Sequence, residues 1–240
     1  MDGYHRFRGN QWPERRRMFE GLADLGQQPR AMVVSCADSR VDPGMIFDAG
    51  PGELFVVRNV ANLVPPYTPD SGYHGTSAAL EFGVRVLEVT ELLVMGHGLC
   101  GGVRAMLQGV PPEASDFVAG WIGIASRARD RALACDDGMD RQLCCEQETV
   151  KLSLDNLMTF PWIAERVASG CLHLHGAHFD IRTGQLSLLG PDGTFDSVPS
   201  RLPCRSARQN KVAERAAPRM HRTEAAISTP NVAATPVTRN

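Results

Sequence analysis

Cys36 closes a short β-rich run, Ala31 to Cys36 (AMVVSC), while His97 and Cys100 stand three apart in a glycine-rich turn, GHGLCGG, that follows a second such run at Glu91 to Met95 (ELLVM). His97-x-x-Cys100 can chelate one ion from a single tight turn, because glycines at 96, 98, 101 and 102 let the backbone wrap closely around it. Cys36 would complete the set from a neighbouring strand. Two thiolates and one imidazole suit zinc, and three protein ligands leave a fourth position for water or substrate, the arrangement of a reactive zinc and not of a closed structural one. Alone, His-x-x-Cys is a weak signal, and a plain turn with a satisfied histidine is the commoner reading. A phosphate loop is disfavoured, because no Gly-Lys-Ser/Thr follows the glycines.

The elements that must position these residues alternate in type, as an α/β chain does. Met18, Phe19, Leu22 and Leu25 recur at helical spacing, and Pro29 closes that segment. Strands are expected at Ala31 to Cys36, Leu54 to Arg58 and Glu91 to Met95, with helices at Thr76 to Leu87, from near Gly101 to about Gln108, over 113–134 and over 140–169, the last broken by Pro161. Leu172 to Asp180 and Leu186 to Leu189, separated by Thr183-Gly184, read as a closing hairpin. The fold class is therefore α/β: a central, mostly parallel sheet flanked by helices, with a closing β-hairpin near the C-terminus of the domain. Cys36, His97 and Cys100 fall at the carboxyl ends of strands, where open α/β sheets bind ligands.

The chain has 240 residues, 43% of them hydrophobic and 22% charged, and no apolar run approaches the roughly 20 residues of a membrane helix. Nothing at the N-terminus, MDGYHRFRGN, reads as a secretory signal, so the expected location is cytoplasmic. Seven cysteines, an odd number in a chain too large to need staples, argue against a disulfide scaffold and for thiolate or metal chemistry. The 25 basic and 27 acidic residues are unevenly spread, since residues 201–240 hold eight Lys/Arg against two Asp/Glu. That segment has no aromatic residue and few aliphatics, so it is expected to be a disordered basic tail after a single domain over residues 1–200. Its charges are scattered, which argues against nucleic acid as a partner.

Cys36-Ala-Asp38-Ser39-Arg40, followed some 60 residues later by Gly-His-x-x-Cys-Gly-Gly, resembles the β-class carbonic anhydrases. The likeness extends to Gly26-Gln27-Gln28-Pro29, to PGELFVVRNVAN over 51–62, to Ala78-Ala79-Leu80-Glu81-Phe82 and to GAHFDIRTGQL over 176–186. It covers about residues 14–190, and the wording over 31–67 is nearest the plant-like branch.

The resemblance implies one zinc ion per subunit bound by Cys36, His97 and Cys100, with Asp38 and Arg40 as a supporting dyad. The activity implied is reversible hydration of carbon dioxide to bicarbonate and a proton by zinc-bound hydroxide, the work of a carbonate dehydratase. Asp38 would accept the hydrogen bond from the zinc-bound water, and Arg40 would grip that carboxylate with its planar fork. Gln27, Phe55, Val60, Phe82 and Gly101 match the family's substrate-binding positions, the first and last offering hydrogen bonds and the others apolar walls. Part of that pocket comes from a second subunit in the family, so a homodimer or higher homo-oligomer is implied. Phe82 stands where the plant-like branch more often has Tyr, and Gly98 where many members have Ser.

Two other functions fit the same ligands: a related zinc hydrolase acting on a linear electrophile such as carbon disulfide, and a non-catalytic zinc-binding interaction protein. Cys144-Cys145 reads as a buried or incidental pair, and Cys135, Cys171 and Cys204 have no partner spacing. His173 and His175 share one strand face with His178 nearby, so a second metal site is conceivable, but surface or core histidines without ligand duty are the favoured reading.

Overall fold

β1 (Ala31–Cys36) runs between two parallel neighbours, β2 (Leu54–Asn59) and β3 (Glu91–His97), and is buried from Met32 to Cys36. A strand flanked on both edges and covered on both faces has no polar side, which is why AMVVSC reads as a continuous apolar run and not an alternating one. β4 (His173–Phe179) joins β3 in parallel, and β5 (Leu186–Leu189) and β6 (Phe195–Ser197) then add antiparallel strands in the order β2-β1-β3-β4-β5-β6. The computed structural model describes residues 1–135 and 138–200. The basic tail expected over 201–240 lies outside the described residues.

Helices occupy the intervals: α1 (Asp2–Arg6), α2 (Trp12–Leu25), α3 (Pro43–Ile46), α4 (Gly75–Glu81), α5 (Gly101–Gln108), α6 (Val118–Gly123), α7 (Ser126–Leu133), α8 (Arg141–Leu157) and α9 (Pro161–Ala168). One buried cluster gathers Cys36 and Cys100 with Val103, Ile122, Ala128 and Leu152; a second joins Met32, Val34 and Leu92 to Leu80, Leu157 and Ile163. α8 comes so near the sheet that a Cβ on Gly96 would stand 2.7 Å from Val150. Only glycine fits at that point of β3.

The expected parallel sheet and closing hairpin are present, and the differences from the sequence reading have local causes. α2 stops at Leu25 because Gly26 turns to φ 76°, before Pro29 is reached. The segment 113–134 is two helices joined at Ile124-Ala125, and the helix expected to Leu87 continues past Glu81 as a π-turn, Phe82–Val86. β6 was not expected, since three residues are too few to show a period of two. No residue of α1 or α2 is buried: Phe7, Trp12 and Phe19 pack on one another, and Leu25 is 82% exposed.

Candidate metal centre

Cys36 is the last residue of β1 and His97 the last of β3, so two adjacent parallel strands deliver them to one edge of the sheet. Cys100 follows as the N-cap residue of α5, and all three side chains are buried. Between His97 and Cys100 the chain turns tightly with Leu99 at φ 58°, a left-handed conformation that costs a residue with a side chain about 1–2 kcal/mol. Arg40 Nη2 donates to the Leu99 carbonyl at 3.2 Å and helps hold that turn.

The donor atoms of Cys36, His97 and Cys100 lie within 4.8 Å of one another, and among the described residues this is the one such cluster. His97 Nδ1 lies 2.9 Å from the Gly98 carbonyl; that contact needs the proton on Nδ1, which leaves the Nε2 lone pair free. Nε2 is buried and has no hydrogen-bond partner. A buried, orphaned imidazole nitrogen is costly unless something occupies the position it faces. The two sulfurs are 3.9 Å apart, close to the roughly 3.8 Å edge of a tetrahedron with zinc–sulfur bonds of about 2.3 Å. The residues fit zinc.

The three groups are strongly coupled electrostatically. The hydrogen bond with Cys100 draws the Cys36 thiol down to about 4 against the opposing effect of burial. The same bond, together with burial, pushes Cys100 far up. Two thiols this close cannot both ionise without a cation between them. Burial opposes a charge on His97, but the neighbouring Cys36 outweighs it and the imidazole is raised.

Asp38 Oδ2 stands 3.9 Å from His97 Nε2, at the mouth of the cluster. Arg40 donates to it through Nε to Oδ1 at 2.9 Å and Nη2 to Oδ2 at 2.7 Å, and the Arg40 backbone N–H adds a 3.0 Å bond to Oδ1. These donors hold the Asp38 carboxyl far below the usual carboxylate range. Sequence reasoning overlooked Arg58, which donates to the carbonyls of Cys36 at 3.0 Å, Asp38 at 2.6 Å and Val41 at 3.3 Å. An arginine near the end of a mostly apolar strand was the available signal.

The pocket residues separate into two groups. Val60 and Gly101 lie beside the cluster: a Cβ on Gly102 would stand 2.8 Å from Val60, and Gly101 directly follows Cys100. Trp121, also unforeseen, donates from Nε1 to the Val60 carbonyl at 2.8 Å. Phe55 instead pairs with Met32, four residues before Cys36 and so about 13 Å away along the strand. Its ring meets Phe82 at 5.9 Å, and Gln27 is exposed on the loop before β1. Within one chain these three are not brought to the cluster.

One cysteine expectation is corrected. Cys144 and Cys145 are both buried, as expected, but Cys135 and Cys144 form a disulfide, so Cys135 has a partner that spacing did not reveal. The second metal site does not assemble, because His173 and His175 both turn to Glu91 while His178, on the opposite strand face, is buried against Glu146.

A family model described as carbonic anhydrase matches residues 31–186. The chain is 37% identical over 204 residues to beta carbonic anhydrase 3 of Arabidopsis thaliana, covering 82% of this chain and 78% of that protein. It is 40% identical over 166 residues to the chloroplastic beta carbonic anhydrase 5 of the same plant, covering 68% of this chain but only 54% of that protein, about half its length. Among solved structures it is similar to the beta-carbonic anhydrase CcaA, with a TM-score of 0.76, 32% identity and coverage of 82% and 97% of the two chains. A tetrameric beta-carbonic anhydrase of Sordaria macrospora follows with a TM-score of 0.69, 29% identity and coverage of 79% and 94%.

Proposed function

Because the chain belongs to the β-class carbonic anhydrase family, zinc enzymes that hydrate carbon dioxide reversibly, we propose that Cys36, His97 and Cys100 hold its zinc and that Asp38 and Arg40 orient the reacting water. The reaction is the interconversion of carbon dioxide and water with bicarbonate and a proton. The observation that carries the site assignment is the buried, unpartnered Nε2 of His97 beside two sulfurs 3.9 Å apart.

Bound there, zinc supplies the Lewis acidity that makes a water molecule a nucleophile near neutral pH. Asp38 Oδ2 would accept a hydrogen bond from that water and so would turn its lone pair toward the carbon of the substrate. Arg40 keeps the carboxylate ionised and in one orientation through its two-point grip, and its bond to the Leu99 carbonyl ties the dyad to the ligand turn. Val60 offers carbon dioxide an apolar wall, and the Gly101 N–H, exposed at the start of α5, is placed to donate to a substrate oxygen.

Gln27, Phe55 and Phe82 belong in this proposal to the pocket of a second subunit. Their distance from the cluster within one chain supports that reading, as do the exposed Phe82, the unburied α1 and α2, and the tetrameric relative. A homodimer or higher homo-oligomer, with residues 1–200 as the catalytic domain, is thus the proposed working form. No helix among the described residues is long and apolar enough to cross a membrane. The cytoplasm is the location we assign. Cell fractionation tests the location. Stopped-flow carbon dioxide hydration with matched zinc analysis tests the rest: one zinc per chain with rapid hydration is expected, whereas zinc without hydration would leave only a binding role.

A further inference from the structure

Glu146 on α8 is 3% exposed, and a carboxylate so deep needs a partner for each oxygen. Oε1 accepts the Cys100 backbone N–H at 3.0 Å and Gln142 Nε2 at 2.7 Å. Oε2 lies 3.0 Å from Nε2 of His178, itself 5% exposed on β4 beside Gly96. Gln142 Nε2 also donates to the Cys100 carbonyl at 3.0 Å. Residues 142 and 146 lie one helical turn apart, so a single face of α8 grips the backbone N–H and the carbonyl of one cysteine. Asp140, accepting the Gln142 N–H at 2.9 Å, caps the helix at that end.

Cys100 is where such a grip is needed. It follows the left-handed Leu99, and its side chain makes no cap for α5 because the sulfur faces Cys36. The turn is rich in glycine; Arg40 holds it at the Leu99 carbonyl and the Gly98 N–H bonds the Phe179 carbonyl at 2.9 Å, but neither grips the peptide groups of Cys100 itself. Without the clamp, Sγ has room to shift by a fraction of an ångström, and a metal centre is sensitive to displacements of that size.

We propose that Glu146, tied down by His178 and Gln142, is a positioning residue for the metal centre: through the Cys100 backbone it fixes where Cys100 Sγ stands relative to Cys36 and His97, and so sets how tightly zinc is held. The proposal rests on the reading that Cys36, His97 and Cys100 are the ligands. Partners of this outer kind typically carry 10- to 100-fold in metal affinity.

The test measures zinc affinity of the full-length protein by chelator competition, together with the thiolate-to-metal absorption band of the cobalt(II)-substituted form. Glu146→Leu is expected to weaken zinc binding roughly 10- to 100-fold and displace the cobalt band, while Glu146→Gln, which keeps an oxygen for the Cys100 N–H, restores most of the affinity. Should Glu146→Leu not fold, Gln142→Leu at the partly exposed start of α8 is expected to cost about tenfold. A folded variant that melts earlier but binds zinc within about twofold of the parent with an unmoved cobalt band would reduce Glu146 to a structural role and overturn the proposal. Cys100→Ala separates the two readings. If it keeps stoichiometric zinc, the ligand assignment itself is wrong; if it loses zinc while both leucine variants bind normally, only the positioning role fails.

Discussion

Asp38 presents one oxygen, Oδ2, to two neighbours at once: Arg40 Nη2 at 2.7 Å and the unpartnered His97 Nε2 at 3.9 Å. The first contact fixes the carboxylate, and the second sets it beside the nitrogen proposed to hold zinc. An acceptor so held can hydrogen-bond a reacting water without itself serving as a ligand, and the arginine is what separates those two roles.

Asp38→Asn should keep zinc and lose roughly 100-fold in carbon dioxide hydration, because an amide oxygen is a weaker acceptor and an amide nitrogen turned toward the water would repel its protons. Arg40→Ala should lose less, roughly tenfold, since the acceptor survives but is free to turn. Stopped-flow rates on zinc-replete protein decide this. Full activity in Asp38→Asn would reassign the dyad to supporting the loop after Cys36.

Cys36→Ala, His97→Ala and Cys100→Ala should each lose bound zinc, since two remaining ligands hold a four-coordinate ion poorly against solvent. Elemental analysis after dialysis reads the outcome directly. A variant that still carries one zinc per chain would remove its residue from the ligand set.

The three proposed ligands were legible because each ends a strand or opens a helix, positions that apolar runs and glycine-rich turns mark in the sequence. Arg58 and Glu146 were not, because what they do is cap backbone groups of residues 22 and 46 positions away, and no local pattern encodes which peptide a buried side chain will meet. The Cys135–Cys144 bond depends likewise on how α7 packs against α8. Gln27, Phe55 and Phe82 show a different limit. Their types suit a pocket, but one chain leaves them far from the cluster that the pocket must serve.

If those three residues complete a neighbour's site, inactive chains should rescue one another. Cys100→Ala lacks its metal but retains Gln27 and Phe82; Gln27→Ala combined with Phe82→Ala retains its metal but lacks the donated wall. Unfolding and refolding the two together makes half of random dimers mixed, each with one native site, so about a quarter of parental activity should return. Mixtures no more active than the sum of their parts would place the pocket within a single chain.

The last prediction concerns alkaline stability and Cys145, fully buried on α8. Burial, reinforced by the carboxylates of Glu146 and Glu148 and partly offset by Thr149, pushes its thiol up to about 11 from an ordinary 9.0. The folded protein therefore holds this proton more tightly than the unfolded chain does. The resulting stability is fully present below pH 9, where both states keep the thiol protonated, and is lost as pH rises through about 11. Two units correspond to about 2 to 3 kcal/mol, a large share of an ordinary domain's margin. Urea unfolding at a series of pH values between neutrality and the alkaline limb should show the parent losing stability more steeply than Cys145→Ala. The alanine variant pays a small, pH-independent cost for the missing sulfur but has no thiol to ionise in the core. Parallel slopes for the two proteins would mean that Cys145 ionises as readily in the fold as out of it, and that the alkaline limb belongs to other groups.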